Sequence, residues 1–313
     1  MPETSLFTSL SVIIPTFNRE KVLAKALNAY LYQSSPALIR ELLVVDDGST
    51  DATEAMVREF SGRAAFPVRY LCQPNKGPAA ARNFGIREAR SALVLFTDSD
   101  IIPEPDLVAQ HIEWHQRNPL TTTAVLGYVT WAPEVHATPF MRWYGECSMF
   151  VFDKLRHQRE ASFHFLYSCN VSLKTEFLRT CGQFDEEFKT AAYEDTELGY
   201  RLRKKGLQLL YNPEAIGYHH QFFSFEDACK KRLNNASAEQ LFFKKEAGQQ
   251  LFKELRAKRS RPGYALATRL ASGTARILCP ARGLLNSRLP LPRIMYKLFF
   301  WDSTRPSDSR TAP

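Results

Sequence analysis

Short β-branched apolar runs alternate with helical patterns through the first hundred residues, and this alternation constrains the fold most. Helical periodicity at about residues 20–33 and 77–89 separates apolar runs at residues 10–14, 41–45, 68–71 and 92–96. Short apolar runs bounded by turn residues are typical of buried strands. Strands that alternate with helices predict an α/β fold, with a mostly parallel central sheet flanked by helices.

The notable polar clusters follow the apolar runs directly. Pro15-Thr-Phe-Asn-Arg19 follows the first run, Asp46-Asp47 the second and Thr97-Asp-Ser-Asp100 the fourth. The carboxyl ends of parallel strands share one edge of a sheet, and ligands of α/β proteins bind there. We therefore expect these clusters to form one site. A dinucleotide-binding dehydrogenase is excluded because no G-x-G-x-x-G follows the first strand.

Five segments resemble, in order, the signatures of family-2 inverting glycosyltransferases of the GT-A fold. They are SVIIPTFNR, VVDDGSTD, NKGPAAARNFGI, FTDSDIIPEPDL and FDEEFKTAAYEDTELGYRLRKKG, and together they cover roughly residues 10–220. Each is weak by itself, whereas five in register are specific. The resemblance implies a catalytic domain over 1–222, with a Rossmann-like nucleotide-binding half (about 10–120) and an acceptor-binding half (about 121–222). Residues 223–313 are predicted to be a helical, basic extension.

The reaction implied is transfer of a sugar from a nucleoside diphosphate to an acceptor hydroxyl with inversion. A nucleoside diphosphate leaves readily only when a divalent cation offsets its charge, and Mg²⁺ or Mn²⁺ prefers carboxylate oxygens. Alternate residues at a strand end face one side, so Asp98 and Asp100 are expected to converge on one pocket while Ser99 points away. By resemblance, Asp98 lies near the ribose or the metal and Asp100 is a direct ligand. A solvated turn is the alternative.

The donor nucleotide is expected to contact the first two clusters. By resemblance these contacts come from Pro15, Thr16, Asn18 and Asp46. A carboxylate at Asp46 can accept a hydrogen bond from N3–H of uracil or thymine, so a UDP- or dTDP-sugar is favoured. Residues 47–51 are predicted to be capping and turn residues.

A helix that opens at Gly77-Pro78 is expected to direct its amino terminus toward the diphosphate, which includes Gly77 among the nucleotide-sugar-binding residues. Arg82 on this helix reaches the diphosphate or braces the sheet; the sequence leaves both open.

The catalytic base must be a carboxylate that takes the proton from the attacking hydroxyl. The Glu194-Asp195 pair begins a predicted helix, and the family's E-D motif implies that Asp195 is the base while Glu194 assists acceptor binding or positioning. An acidic N-cap turn is the alternative. Glu197 is predicted to be an ordinary exposed residue of the first turn.

A histidine after the next strand completes the metal site in many relatives, and His219 matches that position better than its neighbour His220. The other five histidines form no ligand-like spacing. The acceptor is expected to lie against the aromatic-rich residues 127–170, most of whose rings we expect in the core. Asn170 matches a position that lines the acceptor side in relatives.

Charge is distributed unevenly. Residues 230–313 hold 18 of the 41 lysines and arginines but only 5 of the 33 aspartates and glutamates. The chain is expected to continue as one long helix from about Ser224, then as a basic, aromatic-ended segment reaching Trp301. We expect this segment to dock on an anionic membrane surface where lipid-linked acceptors reside, or to pack on protein. No nucleic-acid motif accompanies the charge, so no nucleic-acid partner is expected.

Location, cysteine state and processivity follow from absent patterns. The start lacks a signal-peptide pattern and no stretch approaches 18 apolar residues, so we expect a cytoplasmic protein, peripheral at most on the inner membrane's cytoplasmic face. The six scattered cysteines are expected to be reduced packing residues. Processive synthases of the family carry Q-x-x-R-W after the E-D helix, which this chain lacks, so limited sugar addition to a glycan or lipid-linked acceptor is predicted. The alternative is a non-catalytic nucleotide-sugar-binding module.

Overall fold

A computed structural model describes residues 7–155 and 157–259, with side chains described through Lys253. The chain divides into two compact units. The first comprises residues up to 132 and 152–220, and the second comprises 133–151 and the residues from 221 onward. Residues 133–151, assigned by sequence to the acceptor half, thus cluster with the second unit.

The first unit begins with the alternation that the sequence predicts. Its first four strands and three helices are β1 (Leu10–Thr16), α1 (Glu20–Tyr30), β2 (Ile39–Asp46), α2 (Thr53–Ser61), β3 (Val68–Cys72), α3 (Pro78–Glu88) and β4 (Leu93–Thr97). These strands pair in parallel in the order β3-β2-β1-β4. Their carboxyl ends therefore meet at one edge of the sheet, where the polar clusters lie.

The rest of the first unit mixes strand directions. It contains β5 (Ile101–Pro103), α4 (Leu107–Arg117), β6 (Thr123–Trp131), β7 (Glu160–Ala161), β8 (Asn170–Lys174), α6 (Thr175–Cys181), α7 (Glu194–Lys204) and β9 (Gln208–His219). The sheet continues from β4 as β8-β6-β9-β5, with β7 beside β9. β8 is antiparallel to both β4 and β6. β6 and β9 pair in parallel, whereas β5 and β7 are antiparallel to β9. Six of the nine strands in this sheet, β1 to β4 with β6 and β9, therefore run in one direction, and the prediction of a mostly parallel sheet is confirmed.

A continuous apolar core supports the parallel strands. Alternate positions of β1 and β2 pack with one face of α1 and α2, so that Val12, Leu27, Leu42 and Val57 are all buried. β1 and β4 contribute fully buried residues on both faces, as expected of strands covered by helices on each side. This rigid core fixes the strand ends from which the site's loops project.

The second unit contains α5 (Pro139–Tyr144), α8 (Phe225–Asn234), α9 (Ala236–Lys244) and α10 (Glu246–Arg259). A capping box between Ser224 and Asp227 begins α8. The phenyl ring of Phe140 stacks on that of Tyr144, and Phe225 packs edge-on against Phe140. The single long helix predicted from Ser224 is wrong, because the helical segments end at Asn234 and Lys244. The basic, aromatic-ended segment lies outside the described residues.

Two further observations bear on the sequence predictions. Within residues 7–155 and 157–259, no helix has the length and apolar character needed to span a bilayer. The cysteines in this part of the chain form no disulfide bonds, as predicted, but Cys72 and Cys147 are exposed and only Cys229 is fully buried. The expectation that they fill the core is therefore wrong for most of them, since reduced cysteines are also tolerated at the surface.

Candidate active site

Arg82 joins two of the predicted site's acidic segments. Its guanidinium, almost fully buried on α3, donates from Nη1 to Oε1 of Glu194 at 3.0 Å and from Nη2 to Oδ1 of Asp98 at 2.8 Å. The Phe184 ring lies beside the guanidinium, 5.5 Å from its carbon to the ring centroid. Asp195 contributes to the field at Arg82 as well. We call Arg82, Asp98, Glu194 and Asp195 the carboxylate cluster.

The E-D turn has an unusual backbone. Tyr193, the N-cap residue of α7, has φ of +70°, a left-handed conformation that a bulky residue rarely adopts. Such strain costs about 1–3 kcal/mol and is concentrated at functional sites. Asp195 Oδ1 accepts a hydrogen bond from the Thr196 backbone N–H at 2.8 Å, and a backbone hydrogen bond from Ser168 also reaches this carboxylate. The turn thereby fixes Asp195 while it remains partly exposed.

The two carboxyl groups of this turn hold their protons more tightly than usual. Burial raises the pKa of Glu194, the negative charge of Asp195 raises it further, and Arg82 offsets only part of this effect. Burial also raises the pKa of Asp195, against the lowering influence of Arg82. A raised carboxyl pKa suits a group that must take up a proton near neutral pH.

Asp100 faces a different set of groups. Its Oδ2 accepts a hydrogen bond from Arg19 Nη1 at 2.5 Å, and His219 Nε2 lies 3.7 Å from the same oxygen. The imidazole of His219 packs edge-on against Trp131, with ring centroids 5.3 Å apart. His220 points the other way, with Nε2 3.4 Å from Lys25 Nζ. The geometry thus brings His219, as predicted, to Asp100.

The predicted metal site is only partly assembled. β4 ends at Thr97, and residues 98–101 form a turn, closed by a hydrogen bond from Ile101 N–H to the Asp98 carbonyl. Asp98 is hydrogen-bonded to Arg82, whereas Asp100 is hydrogen-bonded to Arg19 and lies near His219. The two carboxylates thus have different partners, and their convergence on one metal stays a prediction. In the part of the chain that the structure describes, no three His, Cys, Asp or Glu side chains are arranged to hold a metal. The buried carboxylate of Asp100 and the nearby imidazole nevertheless offer the oxygen and nitrogen donors that suit Mn²⁺.

The loops after β1 and β2 are bonded to each other. Asn18, with φ of +51°, accepts the Thr50 backbone N–H at its Oδ1 (2.8 Å) and donates its own backbone N–H to Ser49 Oγ. Thr16, at the end of β1, has a buried hydroxyl for which the described residues provide no hydrogen-bond partner. Half-buried Pro15 precedes it. The Thr16 hydroxyl therefore has unused hydrogen-bonding capacity, whereas the described contacts of Asn18 hold the loop.

The two aspartates of the DD pair are both buried and both bonded. Asp46 accepts from the Ser49 N–H at one oxygen and from the Tyr70 hydroxyl at the other, at 2.8 and 2.6 Å. Asp47 accepts from Gln73 Nε2 and from the backbone N–H groups of residues 76 and 77. Asp47, predicted to be a capping or turn residue, instead holds the loop before α3 against the end of β2. Asp46, predicted to face the base, is covered by Tyr70, a contact that the sequence did not reveal.

Gly77 is required by its conformation and its neighbour. Its φ is +95°, and a Cβ at this position would approach the Lys189 carbonyl oxygen to 2.9 Å. Its backbone N–H is the one that donates to Asp47 Oδ2 at 2.8 Å. Gly77 therefore allows the loop before the E-D turn to lie against the start of α3, which brings Arg82 and Glu194 together.

Asn170 is buried and hydrogen-bonded at both ends of its amide. Its Nδ2 donates to the carbonyl oxygens of Tyr128 and Ala215, at 3.1 and 2.8 Å, and its Oδ1 faces His111 Nε2 at 2.9 Å. These contacts use both amide hydrogens, so the predicted side-chain contact with the acceptor has no donor available. Asn170 instead bridges β6 and β9 next to the register shift between Gly127 and Tyr128.

Glu197 corrects another prediction. It is 5% exposed, and its carboxylate accepts Arg201 Nε and Nη2 at 2.8–2.9 Å, so it is a buried partner of the next helical turn rather than an exposed residue. The i,i+4 spacing of glutamate and arginine was visible in the sequence. Cys169, which the sequence did not single out, lies among the charges of Asp98, Asp195 and Asp100, and burial raises the pKa of its thiol. The thiol is thereby kept protonated.

Comparisons with known proteins identify the family of the chain. The model of glycosyl transferase family 2 matches residues 11–182. The validoxylamine A glucosyltransferase of Streptomyces hygroscopicus subsp. limoneus is 31% identical over 238 residues, which cover 68% of this chain and 52% of that enzyme. The chondroitin synthase of Escherichia coli is 29% identical over 244 residues, covering 69% of this chain and 35% of the relative. The chain thus spans about half, or less, of the length of these relatives.

Solved structures of similar fold include two with bound nucleotide. The mannosyltransferase PcManGT of Pyrobaculum calidifontis, in complex with GDP-Man and Mn²⁺, has a TM-score of 0.56 at 19% identity and covers 94% of this chain and 87% of its own. The S. aureus TarS fragment in complex with UDP has a TM-score of 0.55 at 18% identity, covering 95% and 89%. Both likenesses support the GT-A fold, and with a family model that matches more than half of its residues, the chain belongs to glycosyl transferase family 2.

Proposed function

We propose that the protein transfers a sugar from a nucleoside-diphosphate donor to an acceptor hydroxyl, with inversion by direct displacement. The observation that carries this proposal is the carboxylate cluster at the carboxyl end of β4. There Asp195 is held by two backbone hydrogen bonds at the start of a helix, beside a buried guanidinium. Fixed carboxylates with raised pKa values suit general-base catalysis.

Asp195 is the proposed base. It is partly exposed, so an acceptor hydroxyl can approach it, and the raised pKa of its carboxyl group favours uptake of that hydroxyl's proton. Glu194 is buried and bonded to Arg82, so its proposed part is to hold the guanidinium between the two acidic segments. The bridge from Glu194 through Arg82 to Asp98 then links the position of the E-D turn to that of the turn at residues 98–101.

A divalent metal is proposed at Asp100 with His219, and Asp98 as a further ligand once Arg82 or the turn shifts. Mn²⁺ or Mg²⁺ bound there would offset the negative charge of the departing nucleoside diphosphate. The diphosphate is proposed to lie near the start of α3, and the nucleoside near Thr16 and Asp46. A pyrimidine base stays a prediction, because both oxygens of Asp46 already accept hydrogen bonds.

The acceptor is proposed to be a glycan or a lipid-linked glycan precursor, extended by single or limited additions. Docking of the basic segment on the inner membrane's cytoplasmic face likewise stays a prediction, since that segment lies outside the described residues. Liposomes with and without anionic lipid, at low and high salt, test this prediction by cosedimentation. Binding that is independent of anionic lipid would contradict it.

The test of the activity is a panel of UDP-, dTDP- and GDP-sugars with Mn²⁺ or Mg²⁺, monitored by donor binding and by donor hydrolysis. We expect the wild type to bind one donor in a metal-dependent manner and Asp100→Ala to lose that dependence. Asp195→Asn should keep donor affinity while kcat falls by about 10²–10⁴, the usual contribution of a general base. If no donor bound with either metal, the transferase proposal would be wrong and a non-catalytic role would replace it.

A further inference from the structure

Arg19 connects the loop after β1 to the proposed metal ligand. Its guanidinium donates to Oδ2 of Asp100, 81 residues further along the chain. This is the same oxygen that faces His219 Nε2 at 3.7 Å. Two ligands at right angles around a small divalent cation, each about 2.1 Å away, are themselves about 3 Å apart. Asp100 Oδ2 and His219 Nε2 are therefore only slightly farther apart than two ligands of one cation, and Arg19 is hydrogen-bonded to that same Oδ2.

The environments of the two partners differ in a way that favours exchange. The Asp100 side chain is 7% exposed, whereas the Arg19 side chain is 41% exposed. A buried carboxylate requires a cation or strong donors, because an unpaired buried charge is costly. An arginine stays protonated at any physiological pH, so it can release Asp100 only by moving its side chain.

Little holds the Arg19 side chain apart from Asp100. Among the described residues, Asp100 is the hydrogen-bond partner of its guanidinium, and the Arg19 side chain does not cap α1. The backbone carbonyl of Arg19 accepts the Leu23 N–H within α1, so the backbone is fixed while the side chain can rotate. The neighbouring Phe17 and Asn18 belong to the loop proposed to contact the nucleoside.

We propose that Arg19 is an exchangeable cation for Asp100. It neutralises the carboxylate until a divalent metal arrives, and the metal displaces it toward the diphosphate of the donor. This inference rests on the proposed function. It implies that Arg19 weakens metal binding to the free protein and strengthens the coupling between metal and nucleotide, because a displaced guanidinium gains the diphosphate as a new partner.

The experiment measures Mn²⁺ binding by the loss of the free-ion electron paramagnetic resonance signal, with Mn²⁺ alone and with Mn²⁺ plus UDP or GDP. Arg19→Gln should bind Mn²⁺ alone about two- to fivefold more tightly than the wild type, as expected for release of a half-exposed ion pair. The factor by which nucleotide increases Mn²⁺ affinity should be smaller in Arg19→Gln. Arg58→Gln, an exposed arginine paired with Glu54 on α2, is the matched control and should behave as wild type.

The outcomes separate this inference from the function beneath it. If the wild type binds Mn²⁺ and Arg19→Gln binds it equally or more weakly in the absence of nucleotide, the exchange is wrong and the transferase proposal stands. If neither protein binds Mn²⁺ even with nucleotide, the metal part of the proposed function is wrong and the exchange falls with it. Asp100→Asn should abolish Mn²⁺ binding in both backgrounds, and retained binding would move the metal away from Asp100 and overturn the inference.

Discussion

Two polar regions of the first unit are built on opposite principles. The carboxylate cluster holds three carboxylates around one guanidinium, and within the described residues Glu194 Oε2 and Arg82 Nε have no hydrogen-bond partner. The second region, which we call the histidine–lysine network, links α4 to β8. It consists of Asn170, His111, Ser172, His115 and Lys174.

The positions of the hydrogen atoms in the network can be assigned by starting from Asn170. Asn170 donates both amide hydrogens to backbone carbonyls, so its Oδ1 must accept from His111 Nε2. Burial lowers the pKa of His111 to about 4, so the ring is neutral at pH 7 and its Nδ1 accepts. Ser172 Oγ, 2.8 Å from that Nδ1, therefore donates its hydrogen to His111.

The hydrogen bonds at the other end of the network run in the same donor-to-acceptor order. Ser172 Oγ is left to accept from His115 Nε2, so the Nδ1 of the neutral His115 ring accepts from Lys174 Nζ at 2.7 Å. The remaining two hydrogens of a Lys174 ammonium reach the carbonyl oxygens of Asn118 and Thr123, at 2.9 and 3.3 Å. Every donor in the network meets an acceptor. The difference teaches that the histidine–lysine network satisfies its own buried polar atoms, while the carboxylate cluster leaves two of its buried polar atoms without a hydrogen-bond partner among the described residues.

Breaking the matched network should have the largest effect on stability. Lys174→Met removes the donor for His115 Nδ1 and for two backbone carbonyls, and we expect it to lower the free energy of unfolding by about 3 kcal/mol. Affinity for the nucleotide-sugar donor should stay within about twofold, as for sites that are not coupled. Urea unfolding and nucleotide binding measure the two effects. Lys205→Met, on the exposed carboxyl end of α7, is the control and should lose less than about 0.5 kcal/mol.

The stability of the wild type relative to Lys174→Met should change with pH in a defined direction. Burial lowers the pKa of Lys174 from 10.5 to about 7. Between these values the unfolded chain binds more protons than the folded one, so Lys174 makes the wild type more stable as pH rises from 7 to 10. His115 and His111 belong to the same network as Lys174. Burial lowers the pKa of both imidazoles, so both stay neutral between pH 7 and pH 10. If the difference in free energy of unfolding between wild type and Lys174→Met were constant from pH 7 to pH 10, the lowered pKa of Lys174 would be contradicted.

Substitution of Asn170, at the other end of the network, tests its acceptor-binding role predicted from the sequence against the structural role that its contacts indicate. Asn170→Ala leaves the His111 N–H and two carbonyls without their partner, and we expect a loss of about 2 kcal/mol. If Asn170 instead contacts the acceptor, as the sequence resemblance implies, KM for the acceptor would rise while stability changed little. Asn118→Ala provides the comparison, because within the described residues the Asn118 side chain is hydrogen-bonded to the Trp114 carbonyl of α4 alone. Its backbone carbonyl still accepts from Lys174.

The sequence predicts the parallel half well because its signals are local. Strands β1, β2 and β4 are short apolar runs, and the polar residues that follow them lie at the same edge of the sheet by rule. Strand alternation implies that only one of His219 and His220 faces the pocket, and the family resemblance favours His219, but alternation alone does not distinguish them. The antiparallel insertion of β8 is not predictable in this way, because the irregular residues 132–169 carry no periodicity that fixes a strand's direction.

The contacts that the sequence misses are those between distant residues. The Arg19–Asp100 pair spans 81 positions and the Arg82–Glu194 pair 112. The different partners of Asp98 and Asp100 depend on a turn that begins one residue after β4, which strand alternation cannot anticipate. Residue types and strand ends therefore locate the site, while the pairing of charges within it follows only from the tertiary fold.

The smallest stability effect is expected in the carboxylate cluster itself. Glu194→Gln keeps an oxygen to accept from Arg82 Nη1 and removes one of three competing negative charges. We therefore expect the free energy of unfolding at pH 8 to change by no more than about 1 kcal/mol, in the stabilising direction. The raised pKa of Glu194 sets the sign: the folded wild type binds a proton that the unfolded chain has released, so its stability falls as pH rises above 4.5. Glu194→Gln should lack this decline.

The measurement is urea unfolding of both proteins at pH 5 and pH 8, with kcat measured at pH 8. Glu113→Gln, at an exposed i,i+4 pair with Arg117 on α4, controls for loss of a surface charge. We expect Glu194→Gln to gain on the wild type between pH 5 and pH 8 and to lose activity, because a neutral amide holds Arg82 less firmly against the E-D turn. A loss of stability comparable to that of Lys174→Met would show that Glu194 is as internally matched as the network. The distinction between a satisfied scaffold and an unsatisfied site would then fail.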